Sequence, residues 1–151
     1  MKLFKYKVGR YPFGIWTAII ALLLTMLAWV MQAYSLINWE SAVEFGLQNG
    51  SFQGDDISQI MAAKEKGEAI ADLIWVLPLN LLALVGILRK RFIGFVAAMM
   101  TFAVCIYFPL FYIFQIWNTF LMTAVGAVIL WGIPSLFGIF GLWTNRKLFK
   151  P

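Results

Sequence analysis

A carboxylate and an amide interrupt an otherwise apolar stretch of the chain, and these are the residues whose types could do chemistry there. Glu68, Asp72 and Asn80 are four and eight residues apart, a spacing that places them on one face of an α-helix. Such groups are costly in hydrocarbon and usually face protein or a water-filled cavity. The spacing supports two interpretations: a polar path for a proton or solute, or a structural role for Asn80 beside the carbonyl that Pro78 frees.

Groups that commonly carry enzymatic catalysis are scarce in this chain. It contains no histidine, the most common general base and metal ligand. Cys105 is the only cysteine, so an internal disulfide and a CxxC pair are excluded. The adjacent acids Asp55 and Asp56 lack the spacing of a calcium-binding loop. We therefore predict no catalytic residue, no metal site and no cofactor, and expect that the protein is not an enzyme.

The composition of the chain is typical of a membrane protein. Its 151 residues are 62% hydrophobic and 13% charged, whereas an average soluble domain is about 45–50% apolar and about 25% charged. A globular interior of this size cannot bury so much apolar surface, which indicates that lipid is part of the solvent. We predict an all-α fold, a polytopic four-transmembrane-helix bundle with short amphipathic helices in its first outer loop, forming a single membrane domain over residues 1–151.

Apolar stretches long enough to cross about 30 Å of hydrocarbon predict four membrane spans. Charged residues mark the ends of most of them, but Phe92 to Asn145 is uncharged throughout and is long enough for two spans. The polar segment Gln115–Thr119 is the predicted turn between these two. The predicted spans cover residues 13–36, 70–88, 92–114 and 120–143, and the predicted outer loop covers residues 37–69.

Charge is strongly segregated along the chain. All seven acidic residues lie between Glu40 and Asp72, whereas ten of the twelve basic residues lie at the two ends of the chain and at its middle. Because basic residues near span ends are retained in the cytoplasm, the pattern predicts cytoplasmic N- and C-termini and loop 37–69 outside. We expect the plasma (inner) membrane and anionic headgroups as the counter-charge. Nucleic acid is not an expected partner, since no aromatic-interleaved basic stripe is present.

Two short helices are predicted in residues 37–69. Asn38 is placed to cap the first and Asn49-Gly50 to end it, whereas Gly54–Asp56 offers a cap for the second, which can run directly into the second span. The acidic residues here are interpreted as a solvated surface, with a cation-attracting vestibule as the alternative.

Small residues at helical spacing predict close helix packing in the fourth span. They recur every three residues and would let another backbone approach, either within the bundle or across a dimer. A proline falls inside each of the last three spans, which we interpret as kinks; broken helices that expose carbonyls to an ion are the alternative. The predicted packing face consists of Gly132, Ser135, Gly138 and Gly141.

These patterns favour a non-catalytic integral membrane protein, an accessory or assembly subunit that packs through its small-residue helix faces in a homo- or hetero-oligomer. The first alternative is a small transporter or channel that uses the Glu68/Asp72/Asn80 face. The second is a protein that binds a hydrophobic ligand such as a quinone or a lipid, for which the aromatic segment Tyr107–Tyr112 is the candidate surface.

Overall fold

The computed structural model describes residues 2–116 and 121–150 and shows an almost entirely helical chain. The all-α prediction is confirmed. A two-stranded antiparallel hairpin, β1 (Lys7–Val8) with β2 (Tyr11–Pro12), precedes the first long helix. The α-helices are α1 (Lys2–Lys5), α2 (Phe13–Ile37), α3 (Trp39–Glu44), α4 (Asp56–Ala71), α5 (Leu77–Leu88), α6 (Phe92–Ile116), α7 (Leu121–Ala127) and α8 (Ile133–Thr144), followed by a 3₁₀ turn, Arg146–Leu148.

Four helical segments are long and apolar enough to cross a membrane, and each overlaps one of the predicted spans. The first and third begin at the predicted residues, and the second begins at Asp56 because α4 continues without a break into the apolar segment, as the sequence allowed. Residues 117–119 of the predicted turn lie outside the described part of the chain. The four segments are Phe13–Ile37, Asp56–Leu88, Phe92–Phe114 and Ala124–Thr144.

Two wide helical turns interrupt the long helices at matching positions. A π-helical turn at Asp72–Val76 joins α4 to α5, and another at Val128–Gly132 joins α7 to α8. Each is followed after one residue by a proline, at Pro78 and Pro134. A proline ring clashes with the carbonyl four residues earlier in a regular α-helix, and a wider turn at that carbonyl relieves the clash. The prolines therefore account for both turns.

The sequence around these two turns is also repeated. Residues 71–78 read Ala-Asp-Leu-Ile-Trp-Val-Leu-Pro, and residues 127–134 read Ala-Val-Ile-Leu-Trp-Gly-Ile-Pro. Alanine, tryptophan and proline occupy identical positions, and branched apolar residues occupy three others. Each turn is then followed by a helix of 12 residues, α5 or α8. The second and fourth long helices thus share a local sequence and a local structure.

Residue contacts divide the chain into two compact units. Unit 1 comprises Met1–Thr25 and Leu79–Pro151, and unit 2 comprises Met26–Pro78. Because all acidic residues lie between Glu40 and Asp72, every one of them belongs to unit 2, together with only two of the basic residues. Unit 1 therefore contains ten basic residues and no acidic one.

Helices of unit 1 approach one another at pairs of glycines. Gly14 of α2 lies so close to α8 that a β-carbon added to it would stand 2.8 Å from the Cα atom of Gly141. Gly86 of α5 and Gly94 of α6 approach more closely still, since a β-carbon added to either would stand 2.3 Å from the Cα atom of the other. No larger residue fits at these contacts without moving a helix. The largest fully buried apolar side chains of this core are Phe102, Ile15, Leu22, Ile87 and Leu142.

The short helix of unit 2 ends earlier than predicted. α3 stops at Glu44, not at Asn49-Gly50, because Gly46 adopts a φ of +72° and turns the chain out of the helix. Asn38 occupies the N-cap position of α3, but its side chain makes no capping hydrogen bond. The predicted cap of the second helix is confirmed, since the Asp55 carboxylate accepts a hydrogen bond from the backbone N–H three residues later.

Candidate functional site

The most highly coordinated carboxylate of unit 2 belongs to Glu65, which the sequence did not single out. Its side chain, on α4, is 8% exposed. It accepts hydrogen bonds from the backbone N–H of Asn49 at 2.8 Å, from the Asn49 side chain at 2.7 Å and from the Gly50 N–H at 3.1 Å. The Glu65 carboxylate therefore holds the loop after α3 against α4, because N–H donors stabilise a buried carboxylate.

A second acid fixes the same loop from the other side. Glu40, on α3, accepts hydrogen bonds from the Ser51 hydroxyl and from the Phe52 N–H. The neighbouring Trp39 indole donates to the Gly50 carbonyl at 2.9 Å and its ring packs against Phe52. At Gly50 itself a β-carbon would collide with the backbone of α4. Two of the acids that we interpreted as a solvated surface thus hold the loop in place.

The predicted polar face is divided between the two units. Glu68 and Asp72 belong to unit 2 and Asn80 belongs to unit 1. Glu68 forms an ion pair of 3.7 Å with Lys64 one turn earlier. Asp72 is 6% exposed and opens the first π-helical turn. Within the described residues, no hydrogen bond is formed to its carboxylate.

Asn80 is the largest fully buried polar side chain of unit 1. Its side-chain nitrogen donates to the Leu22 carbonyl of α2 at 3.3 Å, and its side-chain oxygen has no partner among the described residues. We expected this amide to compensate the carbonyl that Pro78 frees on the same helix. It instead bonds a second helix, and the wide turn before Pro78 accommodates the proline. An unpartnered buried oxygen costs about 1–3 kcal/mol, so it is a natural position for a bound water or a polar ligand.

The predicted packing face is buried throughout and faces neighbouring helices of the same unit. A β-carbon at Gly132 would stand 3.4 Å from Pro109, and one at Gly138 would stand 2.6 Å from the Phe102 ring. Gly141 faces Gly14, as described above. Ser135 is fully buried, and its hydroxyl has no partner among the described residues. Of the two predicted uses of this face, the structure shows the contact within the chain.

The only cysteine of the chain lies inside the core of unit 1. The Cys105 sulfur is 3.8 Å from the Thr25 hydroxyl, which itself donates to the Ala21 carbonyl at 2.8 Å. Both side chains are buried. The pair therefore forms a polar contact between α2 and α6 that solvent does not reach.

The aromatic segment of α6 faces outward. Tyr107, Leu110, Phe111 and Phe114 line a shallow apolar hollow of about 400 Å³. The rings of Tyr107 and Phe111 stack with their centroids 6.2 Å apart, whereas Phe114 is 88% exposed. Such a surface suits acyl chains or an apolar partner better than a ligand that needs several converging polar groups.

No family model, curated protein or solved structure matches this chain. The arrangement of its polar groups is therefore the basis for any functional conclusion. Across residues 2–116 and 121–150, no group of three or more acidic, cysteine or histidine side chains could hold a metal ion. Glu40, Asp55 and Glu65 bond the backbone of unit 2, and Asn80 bonds the backbone of unit 1. The polar side chains described above serve mainly to position the chain itself.

Proposed function

We propose that this chain is a polytopic membrane protein whose four long apolar helices cross the plasma (inner) membrane. Both termini lie in the cytoplasm and residues 37–69 lie outside. The division of charge supports this orientation, because basic residues at span ends are retained in the cytoplasm. The helix surfaces support the membrane location, since side chains such as Ile20, Leu27 and Phe137 are large, apolar and more than half exposed.

Within the membrane, the protein acts as a non-catalytic accessory or assembly subunit. The observation that carries this proposal is the use of its polar side chains, which bond its own backbone in both units. Because these buried charges and amides fix the protein's own loops and helices, the outer surface of the protein has a defined shape. That surface is formed by the broad apolar faces of the long helices. Because the small-residue face of α8 is used inside unit 1, the partner contacts these outward apolar faces instead.

Purification from native membranes tests this role. An affinity-tagged chain, expressed at its natural level and extracted in a mild detergent, is expected to retain one different polypeptide at fixed stoichiometry. Chemical crosslinking followed by mass spectrometry then identifies the contacting helix faces. Recovery of the chain alone, in a state that transports a solute by itself, would contradict the proposal.

A small transporter is the second candidate, and one observation favours it. The side-chain oxygen of Asn80 is buried without a partner among the described residues, and Asp72, on the same predicted face, is only 6% exposed. Proton flux into proteoliposomes, driven by a potassium gradient and read with a pH dye, compares the wild type with Asp72→Asn. The transporter proposal requires flux that this substitution abolishes and that Glu44→Gln, an exposed acid on α3 outside the predicted face, retains. Equal flux in all three and in empty liposomes would exclude proton transport.

A further inference from the structure

Three basic segments that are far apart in sequence meet in unit 1. The backbone N–H of Lys150 donates to the Lys90 carbonyl at 3.1 Å, and the Phe92 N–H donates to the Lys150 carbonyl at 2.8 Å. These bonds join the C-terminus to the turn between α5 and α6. We call the resulting surface the basic platform, which consists of the ten basic residues of segments 2–10, 89–91 and 146–150.

The N-terminal segment is fixed to the same surface by two long-range hydrogen bonds. The Tyr11 hydroxyl donates to the Leu88 carbonyl at the end of α5, at 2.9 Å. The Asn145 side chain, just after α8, donates to the Phe4 carbonyl at 3.0 Å. The basic platform is therefore a folded part of unit 1 and not a set of independent tails.

Two cations of the platform lie against one buried ring. The Arg10 guanidinium carbon is 5.4 Å and the Lys90 ammonium nitrogen 5.5 Å from the centre of the Tyr11 ring, whose side chain is 4% exposed. Cation–π attraction holds each of them there. Since unit 1 contains no Asp or Glu, no acidic side chain within it neutralises either cation. An anion that contacts both cations therefore lowers the electrostatic energy.

Lys90 also stands where the backbone favours glycine. α5 ends in a Schellman motif, with the Lys90 N–H bonded to the Ile87 carbonyl and the Arg91 N–H bonded to the Gly86 carbonyl. Lys90 takes the left-handed position of this motif, with a φ of +53°. A side chain is strained there and glycine is not. The residue in this strained position is thus the one whose ammonium group lies over the Tyr11 ring.

We propose that the basic platform binds the phosphate headgroups of anionic phospholipids. This proposal rests on the membrane location proposed above and names the lipid chemistry that the protein selects. Lipid is favoured over soluble phosphate because apolar side chains adjoin the platform: Phe92 and Trp143 are each about half exposed, and the Arg146 guanidinium lies 4.9 Å from the Trp143 ring centre. An amphipathic ring beside a cation suits the boundary between headgroups and acyl chains.

Native mass spectrometry of the detergent-solubilised full chain tests the proposal. The protein is titrated with phosphatidylglycerol or with phosphatidylcholine of the same acyl chains. The wild type is expected to bind phosphatidylglycerol more tightly. Arg10→Gln/Lys90→Gly is expected to weaken that binding about 25-fold, since each basic residue near an anionic surface contributes about fivefold. The matched control Lys64→Gln/Lys66→Gln removes the same charge from α4 of unit 2 and is expected to change binding by less than about twofold.

Each alternative result overturns the proposal in a recognisable way. Equal affinity for both lipids, or equal losses in the platform variant and its control, would show that the platform selects no headgroup. Displacement of phosphatidylglycerol by sodium phosphate, beyond the effect of sodium chloride at the same ionic strength, would assign the site to soluble phosphate. Extraction of the chain from membranes by alkaline carbonate would instead contradict the membrane location, which separates failure of that proposal from failure of this one.

Discussion

Replacing Gly14 by alanine is expected to destabilise the contact between α2 and α8. A β-carbon at this position would stand 2.8 Å from the Cα atom of Gly141, 2.9 Å from the Asn145 side-chain nitrogen and 3.0 Å from the Gly141 carbonyl oxygen. Carbon–carbon contacts are optimal at about 3.5–4.0 Å. Since two of the three atoms belong to backbone, a helix must move to accommodate the methyl group, and overpacking of this kind costs about 1–3 kcal/mol.

Gly126→Ala provides the matched control. Gly126 lies in α7, and a β-carbon there would meet no atom of the described part of the chain within 4 Å. Alanine is favoured over glycine in a helix interior by about 0.8–1.0 kcal/mol in water, so this substitution is expected to leave the free energy of unfolding unchanged or to raise it. The two variants make the same chemical change and differ in the space around it.

Reversible unfolding in mixed detergent micelles, followed by circular dichroism as the fraction of dodecyl sulfate rises, measures both variants. Gly14→Ala is expected to unfold at a lower dodecyl sulfate fraction than the wild type, and Gly126→Ala at the same or a higher fraction. If Gly14→Ala proves as stable as Gly126→Ala, the close approach of α2 and α8 is not a tight contact and the reasoning is refuted.

Further substitutions test the Glu65 hydrogen bonds, the Asp55 N-cap and the conformation of Lys90. Glu65→Gln places an amide donor opposite the N–H donors of residues 49–50 and is expected to lower the free energy of unfolding by about 1–3 kcal/mol. Hydrogen exchange of the backbone amides of residues 49 and 50 should then be faster, whereas Glu68→Gln should leave it unchanged. Asp55→Ala removes the N-cap of α4 and should lower the free energy of unfolding by about 1 kcal/mol, and an unchanged value would refute the cap. Lys90→Gly should raise the midpoint of thermal unfolding by relieving a positive φ, whereas a lower midpoint would show that packing over Tyr11 outweighs the strain.

Helix positions were predictable because hydropathy and charge are local properties of the sequence. The first and third long helices begin at Phe13 and Phe92, as predicted. Each helix start lies within three residues of an arginine. The glycine spacing in α8 likewise identified a packing face. Which backbone meets that face depends on how distant helices assemble, and a spacing rule does not contain this information.

The hydrogen bonds that hold unit 2 together could not be predicted from the sequence, because they join residues that meet only after folding. Glu65 and Asn49 are 16 residues apart in sequence and belong to different elements. Before folding, Glu65 resembles any other acid on a solvated helix. The early end of α3 has a local cause in Gly46, and a glycine after a short helix could have signalled it.

The two π-helical turns have a local signal that was not recognised. The repeated pattern in residues 71–78 and 127–134 places a proline at the same position after each turn. We treated those prolines as simple kinks. Comparison of the two segments would have shown that the second and fourth long helices carry the same feature, although it would not have specified a π-helical geometry.

Cysteine labelling in intact cells tests the central claim, the orientation of the chain in the membrane, most directly. In a Cys105→Ala background, single cysteines replace the exposed residues Gln53 in unit 2 and Lys147 in unit 1. A membrane-impermeant maleimide is expected to label Gln53→Cys in intact cells and Lys147→Cys only after permeabilisation. Labelling of Lys147→Cys in intact cells, with Gln53→Cys protected until the membrane is opened, would contradict the account.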